Sequence, residues 1–399
     1  MASRLSAKAL ATLLAAVFLV NLGFGLVLPL VPLLIESDIG AQADIALNTG
    51  LVTGAYGLAV FLFAPLWGGW SDRHNRRGIL IFGLLGFAIA TAAGSAIPGL
   101  VGLYVSRFFA GVFAGCILPV AQALVVDTVK QPHARAQRFA WLGIAGSAGL
   151  LSGPIAGGLL IDATNGLTIF YLLQGTIAIA AVAVGAAALR WLPAVRPARK
   201  VNAPRPSARR ELAVLIGIAG IVAAGLGAFE VALTIRAEVD PALSGKGLGL
   251  ILAECMLVMI IAQALVFNRW VTAGSTTRLV APGLLVLGLG LLSLAWLKGN
   301  VGLILGTGVI AAASGILVPV LSFWISLGAG PAQGRELGRQ NSITYFGQAI
   351  GSALAGFLVG GGVSPNGGLL ATGALLIVAA LMVSGILRQI SRLAAKAPG

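Results

Sequence analysis

The chain has 399 residues, 58% of them hydrophobic and only 10% charged, with a formal net charge of +14. A soluble globular chain of this length cannot bury so much apolar surface in one core, so water-soluble classes are excluded. The two cysteines, Cys116 and Cys255, sit inside apolar runs with neither disulfide nor metal-ligand spacing, which excludes a stapled secreted domain and a structural metal site.

A helix needs about 20 apolar residues to cross a hydrocarbon core. In chain order, twelve segments reach that length: 10–34, 49–70, 78–97, 100–126, 138–160, 168–192, 212–236, 247–267, 278–297, 301–325, 342–361 and 368–387. The first follows Arg4 and Lys8 as a signal peptide would, but its apolar run reaches Ile35 and no small-x-small cleavage site follows. It is read as a retained first span. Connectors are short except Pro193–Arg210, rich in Pro and Arg, which divides the chain into residues 1–192, a linker over 193–211, and residues 212–399. Each part holds six spans.

A cytoplasmic N-terminus puts 22 of the 26 Lys and Arg on the inner side, against Arg236, Lys246 and Lys298 outside and Arg107 within a span. That imbalance is the positive-inside pattern, and it accounts for the net charge without a nucleic-acid partner. An RNA-binding patch wants interleaved aromatics, and Arg196–Arg210 has none. The halves also echo each other. Gly115-Cys-Ile-Leu-Pro119-Val120 in the fourth span recurs as Gly315-Ile-Leu-Val-Pro319-Val320 in the tenth, which is the fourth of its own six. A duplicated six-helix unit is a transporter architecture.

Three segments carry sharper patterns. Gly68-Gly-Trp-Ser-Asp72-Arg73-His-Asn75-Arg76-Arg77 packs one acid, three arginines and a histidine between Leu51–Trp67 and Gly78–Ile97, which hold no charge. Positive-inside loops explain the arginines, but not Asp72 beside a pair of glycines. Arg107-Phe-Phe-Ala-Gly111 places a lone arginine inside an apolar helix, at a cost of about 2.5–3.5 kcal/mol on insertion, so the guanidinium needs a carboxylate, a carbonyl or water. In Gly149-Leu-Leu-Ser-Gly153-Pro154-Ile-Ala-Gly157-Gly158, the proline removes a backbone donor and bends its helix, while glycines at four-residue spacing let another helix pack close.

Together these segments resemble the major facilitator superfamily and, within it, the twelve-span drug:proton antiporters. Gly68 through Arg77 is similar to that superfamily's loop between helices 2 and 3, G-x-x-x-D-R-x-x-R-R. Arg107 with Gly111 is similar to its helix 4 motif, and Gly149 through Gly158 to the G-x-x-x-G-P-x-x-G-G antiporter motif of helix 5, associated with export. There are departures. Asn75 stands where the family usually has Gly, the matching loop of the second half keeps only Asn268-Arg269, and span 1 has Asn21 where many antiporters carry an acid.

The resemblance implies an all-α membrane protein with twelve transmembrane helices in two pseudo-symmetric six-helix bundles, the major facilitator fold. It implies a cytoplasmic gate and charge relay of Gly68, Asp72, Arg73, Arg76, Arg77 and Asp127. In that gate Asp72 faces the positive end of helix 11, expected to begin near Asn341-Ser342, and Asp127 pairs with Arg76 or Arg77. Arg107 is implied to govern proton release by a nearby acid.

Two acids lie in apolar runs of the second half, Glu230 within Gly225–Ile235 and Glu254 within Leu248–Val266. Burial raises the pKa of a carboxylate, which suits a proton carrier working near neutral pH. The bland alternative is that they reach outer water or pair with Arg236 or Lys246. Candidate cavity residues are Asn21, Gln122, Gln174, Gln263, Trp324, Tyr345 and Gln348. Each alone suits helix packing. As a neutral, partly aromatic set they fit a large amphipathic or lipophilic solute better than a small anion.

The chain has no G-x-x-x-x-G-K-[ST], so transport is driven by a gradient and not by a P-loop ATPase. H-E-x-x-H and G-x-S-x-G are also missing, and His74 and His133 fall in inner loops, which argues against an intramembrane enzyme. The expected function is proton-coupled export of a drug-like solute by alternating access; the alternative is an exporter dedicated to one metabolite, such as a siderophore or sugar derivative. No cofactor is called for. The expected partners are a small-molecule substrate, protons and the lipid bilayer. The expected form is a monomer in a bacterial cytoplasmic membrane with both termini inside.

Overall fold

Inside lipid a backbone N–H finds no water, so a spanning segment must satisfy its own hydrogen bonds, and a helix does so completely. The computed structural model describes residues 5–27, 31, 34–35, 45–97, 99–161, 166–195, 206–239, 246–269, 276–297, 299–360 and 366–394, and among them the regular structure is entirely helical. The first six helices are α1 (Ala7–Val27), α2 (Ile45–Ser71), α3 (Arg76–Ala96), α4 (Gly99–Thr128), α5 (Pro132–Ile161) and α6 (Gly166–Trp191). The remainder are α7 (Pro206–Val239), α8 (Lys246–Arg269), α9 (Thr276–Leu294), α10 (Gly299–Gly328), α11 (Gln333–Gly360) and α12 (Gly367–Ala394).

Among the described residues, eight of these are long and apolar enough to cross a membrane: α1 to α4, α6 to α8 and α10. Shorter apolar stretches, Arg278–Leu294 and Gly367–Met382, lie in α9 and α12. Three helices begin well before their apolar segments. α5 starts at Pro132 and not near 138, α7 at Pro206 and not near 212, and α11 at Gln333 and not near Asn341-Ser342. The added turns are polar. In α11 they hold Arg335, Glu336, Arg339 and Gln340, which hydropathy does not count although the backbone continues as helix.

By backbone packing the chain divides into two compact units. The first comprises Met1–Lys130, Ala145–Val201 and Pro331–Ser342; the second comprises Gln131–Ile144, Asn202–Gly330 and Ile343–Gly399. In the first, α4 packs on α1, α2 and α3, while α6 packs on α1 and α3. In the second, α10 packs on α7, α8 and α9, while α12 packs on α7 and α9. The second scheme is the first with every helix number raised by six.

Matching features also occur at single residues 200 positions apart. Gly99 and Gly299, which open α4 and α10, both have positive φ, 87° and 76°, a left-handed conformation that glycine adopts without a Cβ clash. Gly115 faces Val60 and Ala64 of α2, and Gly315 faces Met259 of α8, so each occupies the same seam of its own unit.

Candidate functional site

The first unit builds its site at the end of α2. The helix stops at Ser71, leaving the Asp72 carboxylate beside the start of α11, where the first N–H groups have no intrahelical acceptor. One oxygen accepts from the Gly334 N–H at 2.8 Å and the other from the Arg335 N–H at 2.9 Å. Arg76, only 1% exposed, lies 3.1 Å from Asp72 and also pairs with Asp127. Asp127 sits at the C-terminal end of α4, where a carboxylate opposes the helix dipole, so Arg76 relieves that conflict as well. Ser71 Oγ accepts from Arg76 at 3.0 Å and donates to the Gly68 carbonyl at 2.8 Å.

Burial pushes the Asp72 carboxyl above the ordinary carboxylate range, against the opposing pull of Arg76 and the two N–H groups. Burial thus opposes the charge that Arg76 and the two N–H groups favour.

Glycine makes this approach possible. A Cβ on Gly68 would land on the Gly334 carbonyl, one on Gly334 on the Gly68 carbonyl, and one on Gly338 on the Ala64 carbonyl. One turn further, Ser342 Oγ donates to the Phe61 carbonyl at 2.6 Å. Gly334, Gly338 and Ser342 thus form a small-residue stripe at four-residue spacing along α2. The sequence hid the stripe because Gly334 and Gly338 precede the apolar segment of α11, which Ser342 opens; the spacing itself was the available signal.

The charged loop is also tied behind. Asn75 caps α3 by accepting from the Arg77 N–H at 3.1 Å, which is a physical reason for asparagine where the family usually has glycine. Arg77 donates to the Leu189 and Leu192 carbonyls at the C-terminal end of α6, each at 3.2 Å. Arg73, by contrast, is exposed and makes no ion pair among the described residues. Asn75→Ala is expected to cost about 1 kcal/mol and Asn75→Gly only a few tenths. Thermal unfolding in detergent should rank them wild type, Gly, Ala.

Gly149 and Gly153 of α5 face α1. A Cβ on Gly149 would strike the Phe18 carbonyl, one on Gly153 would strike Leu26 N and the Gly25 backbone, and one on Gly25 would lie 2.7 Å from the Leu150 carbonyl. α5 runs through Pro154, Gly157 and Gly158, whose surroundings lie outside the described side chains. Gly153→Ala is expected to cost about 1–3 kcal/mol by overpacking. Gly175→Ala in α6, where the added Cβ meets nothing within 4 Å, should cost nothing in the same unfolding measurement.

Arg107 is 4% exposed on α4; Tyr56 of α2 faces it, and its Nε meets no acceptor among the described residues. In the second unit Glu230 of α7 is exposed, and both its oxygens accept from Gln348 Nε2 of α11, at 3.0 and 3.3 Å. Glu254 of α8 accepts from Thr307 Oγ1 of α10 at 3.0 Å, and its other oxygen rests against Gly308. Neither acid pairs with Arg236, which instead donates to Leu294 O at 2.6 Å and to Asn366 Oδ1 at 3.1 Å.

The cavity candidates are divided between the units. Asn21 donates to its own helix at Val17 O, 2.8 Å away, and Gln122 is buried in α4. Trp324 is buried edge-on to Phe323, while Tyr345 and Gln348 lie one turn apart on α11. Thr307, missed in the sequence, is the hydroxyl that anchors Glu254.

Known proteins resemble this chain in sequence and in fold. The sequence profile of the Major Facilitator Superfamily matches residues 13–235. The chain is 25% identical to "Multidrug resistance protein 2" of Bacillus subtilis (strain 168) over 358 residues, 87% of each chain. It is 27% identical to "Tetracycline resistance protein, class E" of Escherichia coli over 366 residues, 86% of each. Its backbone is similar to the crystal structure of the human organic anion transporter MFSD10 (TETRAN), with a TM-score of 0.82 at 21% identity over 95% of this chain and 99% of that one. With its family profile matched over more than half its length, this all-helical, multi-pass chain belongs to the Major Facilitator Superfamily and is a membrane transporter, not an enzyme.

Proposed function

We propose that the protein exports a small amphipathic or lipophilic, drug-like solute in exchange for protons by alternating access. The observation that carries this reading is the Asp72 carboxylate closed on the first N–H groups of α11, a latch whose charge burial opposes. A contact of that kind suits one state of a two-state cycle. Gly68, Asp72, Arg76, Arg77 and Asp127 form the gate and relay, with Arg73 a solvated member of the same loop. The drug-resistance names of the relatives support export.

Glu230 is the proposed proton carrier. An ionisable side chain in a span turns to protein or to water, not to lipid, and Glu230 is exposed with a neutral amide as its partner. Glu254, pinned by Thr307, and Arg107 assist coupling. Asn21, Gln122, Trp324, Tyr345 and Gln348 are proposed to meet the solute, while Gly149 and Gly153, the first glycines of the Gly149, Gly153, Pro154, Gly157, Gly158 motif, hold α5 against α1. Residues 1–192 and 212–399 are proposed to form the two six-helix bundles, joined through 193–211, whose last residues, from Pro206, already belong to α7. The molecule works as a monomer in a bacterial cytoplasmic membrane with both termini inside.

The test uses purified protein in lipid vesicles with an imposed proton gradient and a fluorescent reporter of internal pH. Adding a panel of lipophilic solutes should dissipate the gradient, for several solutes if efflux is broad and for one if the exporter is dedicated. No solute-dependent proton movement would remove the antiport reading.

A further inference from the structure

α7 and α11 approach each other as α1 and α5 do. A Cβ on Gly347 would strike the Gly220 carbonyl, and one on Gly351 the Ala224 carbonyl, so Gly347-x-x-x-Gly351 does for α7 what Gly149-x-x-x-Gly153 does for α1. At the next turn a Cβ on Gly227 would strike the Gln348 carbonyl, and Ser352 Oγ donates to the Gly227 carbonyl at 3.2 Å. Glu230 follows Gly227 by three residues and so stands nearly above it, against Gln348. The seam fixes the separation of the two backbones. The amide of Gln348, one residue after Gly347, is thereby delivered to the carboxylate.

We propose that Gln348 is the positioning residue of Glu230: its amide, set in place by the glycine seam, stabilises the ionised carboxylate and so fixes the pH at which Glu230 takes up its proton. This rests on the reading of Glu230 as the carrier. Ionised Glu230 offers two acceptor oxygens, and Gln348 Nε2 uses both. A proton delivered by water turns one oxygen into an O–H donor and leaves the amide a single acceptor; its return to water restores the pair. Gln348 thus responds to the proton state of Glu230 without itself titrating, and it moves with α11.

Other ionisable groups do not supply this control. α10 has none, the only one in α9 is Arg278, and those of α12 are Arg388 and Arg392 near its end. α8 carries Lys246, Glu254, Cys255 and Arg269, with Glu254 engaged by Thr307. α11 brings Tyr345 one turn before Gln348, with Arg335, Glu336 and Arg339 two or more turns before it, while α7 itself has Arg209, Arg210 and Glu211 at its start, Glu238 at its end, and Arg236, which is committed to Leu294 and Asn366. Among the described residues Glu230 makes no ion pair.

The experiment titrates the full-length protein in vesicles by infrared spectroscopy, following the protonated-carboxyl band that Glu230→Gln lacks. Gln348→Met keeps the side chain's length but not its donor. It should raise the midpoint of that band by about one pH unit, the loss of one hydrogen bond to a charged group. Gly351→Ala, which forces the seam apart, should move it the same way. If Gln348→Met does not fold, Gln348→Asn, whose nitrogen is drawn back by one carbon, is judged on the same band. An unmoved midpoint in a folded variant overturns the proposal. Coupled flux in the same vesicles keeps the two claims apart. A Glu230→Gln variant that still couples sinks the carrier reading, whereas a coupling-dead one beside an unmoved Gln348→Met midpoint sinks only the role of Gln348.

Discussion

Asp72→Asn is expected to slow turnover by about ten- to a hundredfold while leaving substrate affinity close to wild type. Asp72 gives one oxygen to Gly334 N–H and the other to Arg335 N–H. Asparagine keeps one acceptor and turns an NH2 toward the second N–H, donor against donor. Losing a hydrogen bond to a charged group costs about 1.5–3 kcal/mol, and about 1.4 kcal/mol is a factor of ten in population. The loss is in acceptors more than in charge, because burial already makes the charge costly here. Arg76 keeps Asp127, so the fold should survive. A transporter that spends too little time latched visits one half of its cycle rarely, and turnover falls. Initial rates in vesicles, beside binding measured by tryptophan quenching, separate the two quantities. Arg73→Gln, in the same loop but solvated and without an ion pair, should leave turnover intact. Equal rates for Asp72→Asn and wild type would leave the gate without its latch.

Much of the architecture was legible because lipid imposes it. Apolar length announced the helices, and the Gly–Pro pattern shared by residues 115–120 and 315–320 has a backbone counterpart in the positive-φ glycines Gly99 and Gly299. Asp72 was readable as a charge with no business among arginines. What it binds was less so. Its partners are backbone N–H groups, which carry no side-chain signature, on a polar turn that hydropathy assigned to a loop. The same blindness hid Gly334 and Gly338. Arg73, Arg76 and Arg77 look alike in sequence, yet one is solvated, one is buried between two carboxylates and one caps α6, because loop geometry decides which way each side chain leaves. The pairing of Glu230 with Gln348 is a contact between helices more than a hundred residues apart, and only a fold can reveal it.

Glu230→Gln is expected to abolish proton-coupled accumulation while sparing substrate binding. Each proton entering with roughly 100 mV of potential delivers about 2.3 kcal/mol, enough to hold a solute gradient of about 50-fold. Without a titrating group that yield vanishes and only downhill leakage remains, a ratio near one. Glutamine is the right probe because it has the carboxylate's shape and can still accept from Gln348 through its carbonyl, so the α7–α11 seam is undisturbed. The same change at Glu254 should cost less. That carboxylate is bonded by Thr307 and pressed against Gly308, which fixes its position. Internal pH and solute counterflow, recorded together in vesicles carrying each variant, decide the matter. Counterflow should persist in both variants, since exchange of solute for solute needs no proton. Uphill export should fail in Glu230→Gln and survive, reduced, in Glu254→Gln. The reverse ranking would move the carrier from α7 to α8 and place the proton behind the α8–α10 contact, where Thr307, not Gln348, holds the acid.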